Sequence, residues 1–261
     1  MSATQQRYLR SRLPVSADRS RRSAAEPVVA HRHTRRRPIF VDELEVRMAR
    51  ELDDLPYARY LTDLDGDLEA EGDYDCVRVD GRELDDLDVR HARFSESVFT
   101  MAAFTRGSMR YSRFVDVWLR HVRWVGTELA DTGWLDGEVV SGAMSGVDFA
   151  GANLRRVRFE GCKFDSVNFR GAQLREVSFV DCVLRDCDFA DAALTDITVP
   201  GSELVRLSLR QARLAKVDLR GATALDFTEG LDSLRGATIT TLQLLDLAPA
   251  FARSVGITVQ D

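Results

Sequence analysis

With 261 residues, 44% hydrophobic and 30% charged, the chain has the composition of a folded protein of one large or two small domains. Its net charge of −6 conceals a segregation: residues 1–38 hold ten Arg against Asp18 and Glu26, residues 42–100 hold 19 acids against seven Arg, and residues 101–230 are near neutral with 18 acids and 17 bases. No apolar run reaches membrane-spanning length and no signal-peptide core occurs near the start, so the expectation is a soluble, cytoplasmic protein without membrane contact.

Residues 1–38 carry too little apolar periodicity to offset the entropy of ordering, which predicts a disordered Arg-rich tail. Its clusters at Arg19–Arg22 and His31–Arg37 suit phosphates or an acidic partner, although a solvated tail is the simpler reading. Residues 39–75 read as an N-terminal helical cap. Asp42 and Glu45 have capping-box spacing, and Val41, Leu44, Met48, Leu52 and Leu55 keep helical spacing up to Pro56. This predicts a helix over 43–53, then a short segment Tyr57–Leu64, with the helix's apolar stripe covering the open end of the repeat region. Asp63, Asp65, Asp67 and Glu69 read as an acidic turn. A calcium loop needs Gly at its sixth position and Glu at its twelfth, where Leu68 and Tyr74 stand.

From Val79 to Leu219 every fifth residue is large and apolar, 29 positions without a gap, and ten of the 13 Phe residues fall in this register. A period of five fits neither regular element. Residues five apart rotate by about 140° on a helix, and an odd spacing changes face on a strand. A chain that turns one corner per five residues aims every such side chain at a common axis, which is a solenoid. Two residues before each centre the side chain is mostly small, as at Ala92, Ser97, Ser112, Cys162 and Ala172, which suits a narrow interior.

Stretches such as Ala152-Asn153-Leu154-Arg155-Arg156 and Val217-Asp218-Leu219-Arg220-Gly221 resemble the pentapeptide-repeat family, whose repeat reads A-(D/N)-L-x-x. The resemblance covers more than half of the chain. It implies an all-β solenoid over residues 76–235: a right-handed, four-sided pentapeptide-repeat β-helix of seven coils, with small α-helical caps at both ends. Charged pairs 20 residues apart number eight of opposite sign and seven of like sign between 80 and 230, so the four sides are what the resemblance implies. Known members of the family act as binding surfaces, and some inhibit or protect DNA gyrase by imitating duplex DNA.

Between Gly107 and Gly146 the repeat loosens, and Trp118, Trp124 and Trp134 occur there. Arg106, Arg110, Arg113, Arg120 and Arg123 form a positive belt in which Asp116 is the lone acid from 101 to 127. Trp118 stands one residue before a centre, which the family geometry points outward. Trp118, Arg120, Arg123 and Arg113 are therefore the candidate interaction residues, against the plainer reading of solvated charge spread over all sides. Cys162 and Cys182 stand one coil apart at the small position, with Cys187 on the next side. All four Cys are expected as free core thiols, and without a CxxC no zinc site is indicated. His91 and His121 are one and a half coils apart, on opposite sides. No phosphate loop or nucleophile elbow occurs, so the reading is non-enzymatic, with no cofactor and no metal.

In residues 236–261, Leu242, Leu245, Ala248, Phe251, Ala252 and Val255 have helical spacing, and Pro249 predicts two short helices meeting near Ala248. The run Leu234–Ile239 and the terminal helix are similar to the C-terminal end of gyrase-inhibiting members, which implies a homodimer. Capping of the last coil explains Leu242, Leu245, Phe251 and Val255 equally well. The expected function is a non-catalytic scaffold for protein–protein interaction with an unnamed partner. The alternative is a DNA-mimicking regulator or protector of DNA gyrase. In either case no direct DNA binding by the β-helix is expected.

Overall fold

The computed structural model describes residues 50–259, all within one compact unit that begins at Arg47. Strands mostly of three residues pair in parallel with strands 20 residues away. Phe99 lies between Val79 and Leu119, and Trp124 lies between Phe104 and Met144. A lag of 20 with a corner every five residues makes each coil four-sided, and the unit is a β-solenoid of about eight turns. The first side carries the centres Val79, Phe99, Leu119, Val139 and their successors. The second carries Leu84, Phe104, Trp124 and Met144, the third Val89, Met109, Leu129 and Phe149, and the fourth Tyr74, Phe94, Phe114 and Trp134. The first and fourth sides join in one 15-stranded sheet because Gln173–Val180 runs round their shared corner. The second side is an eight-stranded sheet. The third is held by single bridges such as Glu128 to Asp148.

Most corners are turned by one residue in the left-handed region, as in the coil Asp86, His91, Glu96 and Met101 with φ of 53°, 59°, 47° and 50°. The N–H of each of these residues donates to a carbonyl of the next coil, at Thr105, Arg110, Val115 and Arg120. Those bonds offset a conformation that L-residues otherwise avoid. The Asp or Asn before a centre is a turn former. The side-chain oxygens of Asp88, Asp148, Asn168 and Asp188 each accept from the N–H two residues on, at 2.9–3.2 Å. The small inward position has its own polar task. Ser112 Oγ accepts from Ala92 N (3.0 Å) and donates to Val89 O (2.8 Å). Ser202 does the same between Cys182 N and Phe179 O, both at 2.9 Å. Buried Ser at this position thus satisfies backbone groups of the coil before it. Gly107 is demanded by space, because its φ is +72° and a β-carbon would stand 2.4 Å from Leu87 O.

The interior is a set of stacked columns. Phe149, Phe169 and Phe189 stack with centroids 5.2 and 4.7 Å apart, and Phe159 stacks on Phe179 at 5.2 Å. The register begins one step earlier than the sequence pattern indicates, since Tyr74 stacks on Phe94 at 5.0 Å. Beyond Leu219 one extra residue intervenes, and Leu225 takes the place beside Leu204.

Both ends differ from expectation. Of the predicted helix over 43–53, residues 43–49 lie outside the described residues, as does the tail 1–38. The described part of this region forms two 3₁₀ turns, Leu52–Asp54 and Ala58–Tyr60. It does not cover the open end. Leu55 and Tyr57 pack on Val98 and Trp118, on the outside of the first side. The end itself is closed by a shortened coil in which Thr62–Asp63 pairs with Val77–Arg78 and Leu68 is buried. The acidic turn is tied down by ion pairs, Asp63 to Arg78 at 2.6 Å and Asp67 to Arg82 at 3.0 Å. At the C-terminus a single helix, Thr241–Ser254, replaces the two expected, with Pro249 inside it. Leu247 and Phe251, four apart, both pack on the core, so one docked face holds the helix across the proline. Among the described residues no helix is long and apolar enough to cross a membrane.

Candidate interaction surfaces

The strap Arg50–Leu61 decides the fate of the sequence-derived Trp site. Trp118 does point outward from its strand, but it is 1% exposed because the strap lies on it. Its indole N–H donates to Arg50 O at 3.1 Å. Arg120 pairs with Glu51. Trp118 and Arg120 are thus contacts of the chain with itself, which corrects the expectation of an exposed hot spot. The missed residue is Glu138. It is 5% exposed and accepts from Arg50 N (2.8 Å) and Arg50 Nε (2.7 Å). Sequence offered no signal for it, because the partner lies 88 residues away.

Tyr57, part of the strap, is buried against the first side, and burial pushes its phenol up, with the carboxylates of Asp116, Glu96 and Glu138 adding to the rise against Arg50. Asp116 is raised first by desolvation and then by Asp136 and Glu96, its neighbours in the same corner row. The positive belt does not form one patch. Arg106 holds Asp85 (2.7 Å), Arg110 holds Asp131 (3.3 Å), and Arg123 stands 3.7 Å from Glu83 on the second side. Arg113 lies exposed on the fourth side. An open depression on the third side, where Gly107 and Gly126 lack side chains, is lined by Asp88, Arg90, Ser108, Arg110, Tyr111 and Glu128. Its Asp88 and Arg90 neutralise each other at 2.6 Å, and Arg90 holds the Asp88 carboxyl down to about 2.

His91 stacks on Tyr111 at 4.9 Å on the corner after the third side, and His121 turns the corner after the first side, so the structure does not bring the two together. The four thiols are free. Cys182 is pushed up by its contact with Cys162 and by burial, and burial raises Cys187 to about 12, so both stay protonated packing groups.

The C-terminal helix has two distinct faces. Gln243 closes the capping box with Thr240 and donates to the last-coil carbonyls of Leu219 (2.8 Å) and Ala222 (3.2 Å). With Leu247 and Phe251 it forms the capping face. Leu242, Leu245 and Val255 are 73%, 63% and 71% exposed. Of ten exposed large apolar side chains among the described residues, six lie between Leu242 and Val259. The four candidates for dimer or cap therefore divide, with Phe251 on the capping side and the other three facing out.

Residues 141–209 match the family model described as a pentapeptide repeat region. No curated protein matches the chain. Among solved structures, full-length QnrB1, a plasmid-mediated fluoroquinolone resistance protein, is 14% identical over 71% of this chain and 100% of its own, with a TM-score of 0.35. HetL, a pentapeptide repeat protein involved in heterocyst differentiation regulation from the cyanobacterium Nostoc, is 16% identical over 65% of this chain and 90% of its own, with a TM-score of 0.21. Rfr23, a pentapeptide repeat protein from the cyanobacterium Cyanothece, is 12% identical over 53% of this chain and 89% of its own, also with a TM-score of 0.21.

Proposed function

We propose, from the premise that this chain is a pentapeptide-repeat protein, that it is a non-catalytic cytoplasmic scaffold for protein–protein interaction that also self-associates through its C-terminal helix. The observation that carries the reading is the apolar strip Leu242, Leu245, Val255, Ile257 and Val259. Large side chains gathered at one end of an otherwise polar surface favour a protein partner. A second copy fits because the strip is contiguous with the helix that closes the last coil. The variant Leu242→Glu with Leu245→Glu leaves the capping face intact. By light scattering it is expected to be a folded monomer where the wild type is a dimer. A wild-type monomer would remove self-association, and a bait that captures no specific partner from its native host would remove the scaffold reading.

The gyrase alternative asks for a potential like that of duplex DNA, about one charge per 1.7 Å of axis. Coils about 4.8 Å apart would then need about three uncompensated acids each. The longest run in one corner row is Glu96, Asp116 and Asp136, and Arg156 ends it by pairing with Asp136 at 2.6 Å. The chain lacking residues 1–38 is accordingly expected to be a poor inhibitor of supercoiling by purified gyrase. Inhibition at submicromolar protein, abolished by reversing acids of one side, would favour the alternative instead.

A further inference from the structure

Most guanidinium groups of the solenoid are neutralised where they stand. On the first three sides and their corners, Arg78, Arg90, Arg106, Arg110, Arg158 and Arg206 each hold a carboxylate within 3.3 Å. The fourth side differs in all but Arg175, which pairs with Glu176 of the adjoining corner at 3.2 Å. Arg93, Arg113, Arg155 and Arg213 project from its strands and are all exposed. Among the described residues none of the four has a carboxylate at ion-pair distance, and Arg93 has only Ser95 Oγ, at 3.1 Å. The outward positions of this side carry no acid from Arg93 to Ala215. Asp73 and Asp75 stand only on its first rung. The order of residues hides this, because bases and acids alternate along the chain but are sorted by the five-residue corners.

We infer that the fourth side is a docking surface for an acidic, partly apolar segment of a partner protein. The inference rests on the scaffold reading and adds where the partner binds and what chemistry it carries. Two observations select a polypeptide over a nucleic acid. Half-buried Val115 and Leu135 lie between Arg113 and Arg155, and they offer apolar contact that a phosphate backbone cannot use. Glu96 and Asp116 line the adjoining corner in successive coils, with Asp136 of the same row held by Arg156, and would repel a broad polyanion laid across the side. A side is about 10 Å wide, three extended residues at about 3.3 Å each, which admits one extended segment between the corners. Exposed unpaired Arg with apolar neighbours is also the composition that contributes most at protein interfaces.

The test measures binding of a fluorescein-labelled peptide of alternating glutamate and leucine to the full chain by anisotropy. Arg113→Glu with Arg155→Glu is compared with Lys163→Glu and Arg185→Glu, a pair of exposed bases on the second side that, among the described residues, are equally unpaired. The two double variants have the same net charge, and both keep the basic residues 1–38, so any difference reports position alone. Reversal on the fourth side is expected to weaken binding about tenfold or more, and reversal on the second about twofold or less. Equal losses from both pairs, or no peptide binding that depends on the fourth side, would overturn the inference. Tighter binding of a duplex oligonucleotide, lost with Arg113 and Arg155, would make the side a nucleic-acid surface instead. None of these outcomes alters the self-association read through Leu242 and Leu245, so the two readings fail separately.

Discussion

Phe169→Ala is expected to destabilise the protein by about 3–5 kcal/mol in a denaturant titration. Phe169 is 0% exposed and stands between Phe149 and Phe189 in one column, with near-parallel rings at 7° and 6°. The rungs above and below are fixed by ladder bonds on each coil, such as Phe169 N to Asp188 O at 2.7 Å, so the column cannot close the gap. Both the transfer free energy of the ring and most of the cavity cost are then lost. Arg170→Ala, one residue on, removes an exposed side chain whose ion pair with Asp188 is 3.4 Å long. That change is expected to cost under about 0.5 kcal/mol. Similar losses from the two would mean that the inward register does not carry the stability.

Arg50→Ala is expected to release the strap without melting the solenoid. Truncation removes the guanidinium and leaves the buried Glu138 charge without its ion-pair partner, holding only the N–H of residue 50, which costs up to about 3–5 kcal/mol where the site cannot relax. The strap's own hold is mainly Leu55 and Tyr57, at about 1.5–3 kcal/mol each. The two magnitudes are comparable, so lifting the strap to rehydrate Glu138 competes with keeping it docked, and a substantial released population is expected. Trp124 and Trp134 lie inside the coil, 1% and 3% exposed, so a red shift of tryptophan emission with unchanged far-UV circular dichroism reports Trp118 alone. Adding Glu138→Leu should restore the blue emission, because an apolar replacement removes the stranded charge. Unchanged emission in Arg50→Ala would show that the pair does not hold the strap.

The strap also marks where sequence reading stops. Trp118 was legible as outward-facing from its place one residue before a centre, and that direction is right. Its burial was not legible, because it depends on Arg50 and Leu55 crossing a surface that a five-residue repeat treats as solvent. The C-terminal helix carries the same lesson. Its apolar residues were all visible, but only the docking of Leu247 and Phe251 separates the capping face from Leu242 and Leu245, and that docking also keeps one helix where Pro249 predicts two.

By itself the order of residues determined the repeat, the inward set and hence the solenoid. A period of five is incompatible with a straight helix or strand, and only a turning chain buries every fifth side chain. It did not determine the number of sides. Charges 20 residues apart were as often alike as opposite, and the strand pairing at a lag of 20 decided the matter. The tertiary structure alone decided which charges meet. Arg156 reaches Asp136 and Arg206 reaches Asp186, whereas Arg93, Arg113, Arg155 and Arg213 share a side whose outward positions carry no acid beyond the first rung. The physical reason is range. Burial of a side chain acts at the residue itself and repeats with the chain, while an ion pair closes over a few ångströms between coils and depends on which side each corner has turned it to.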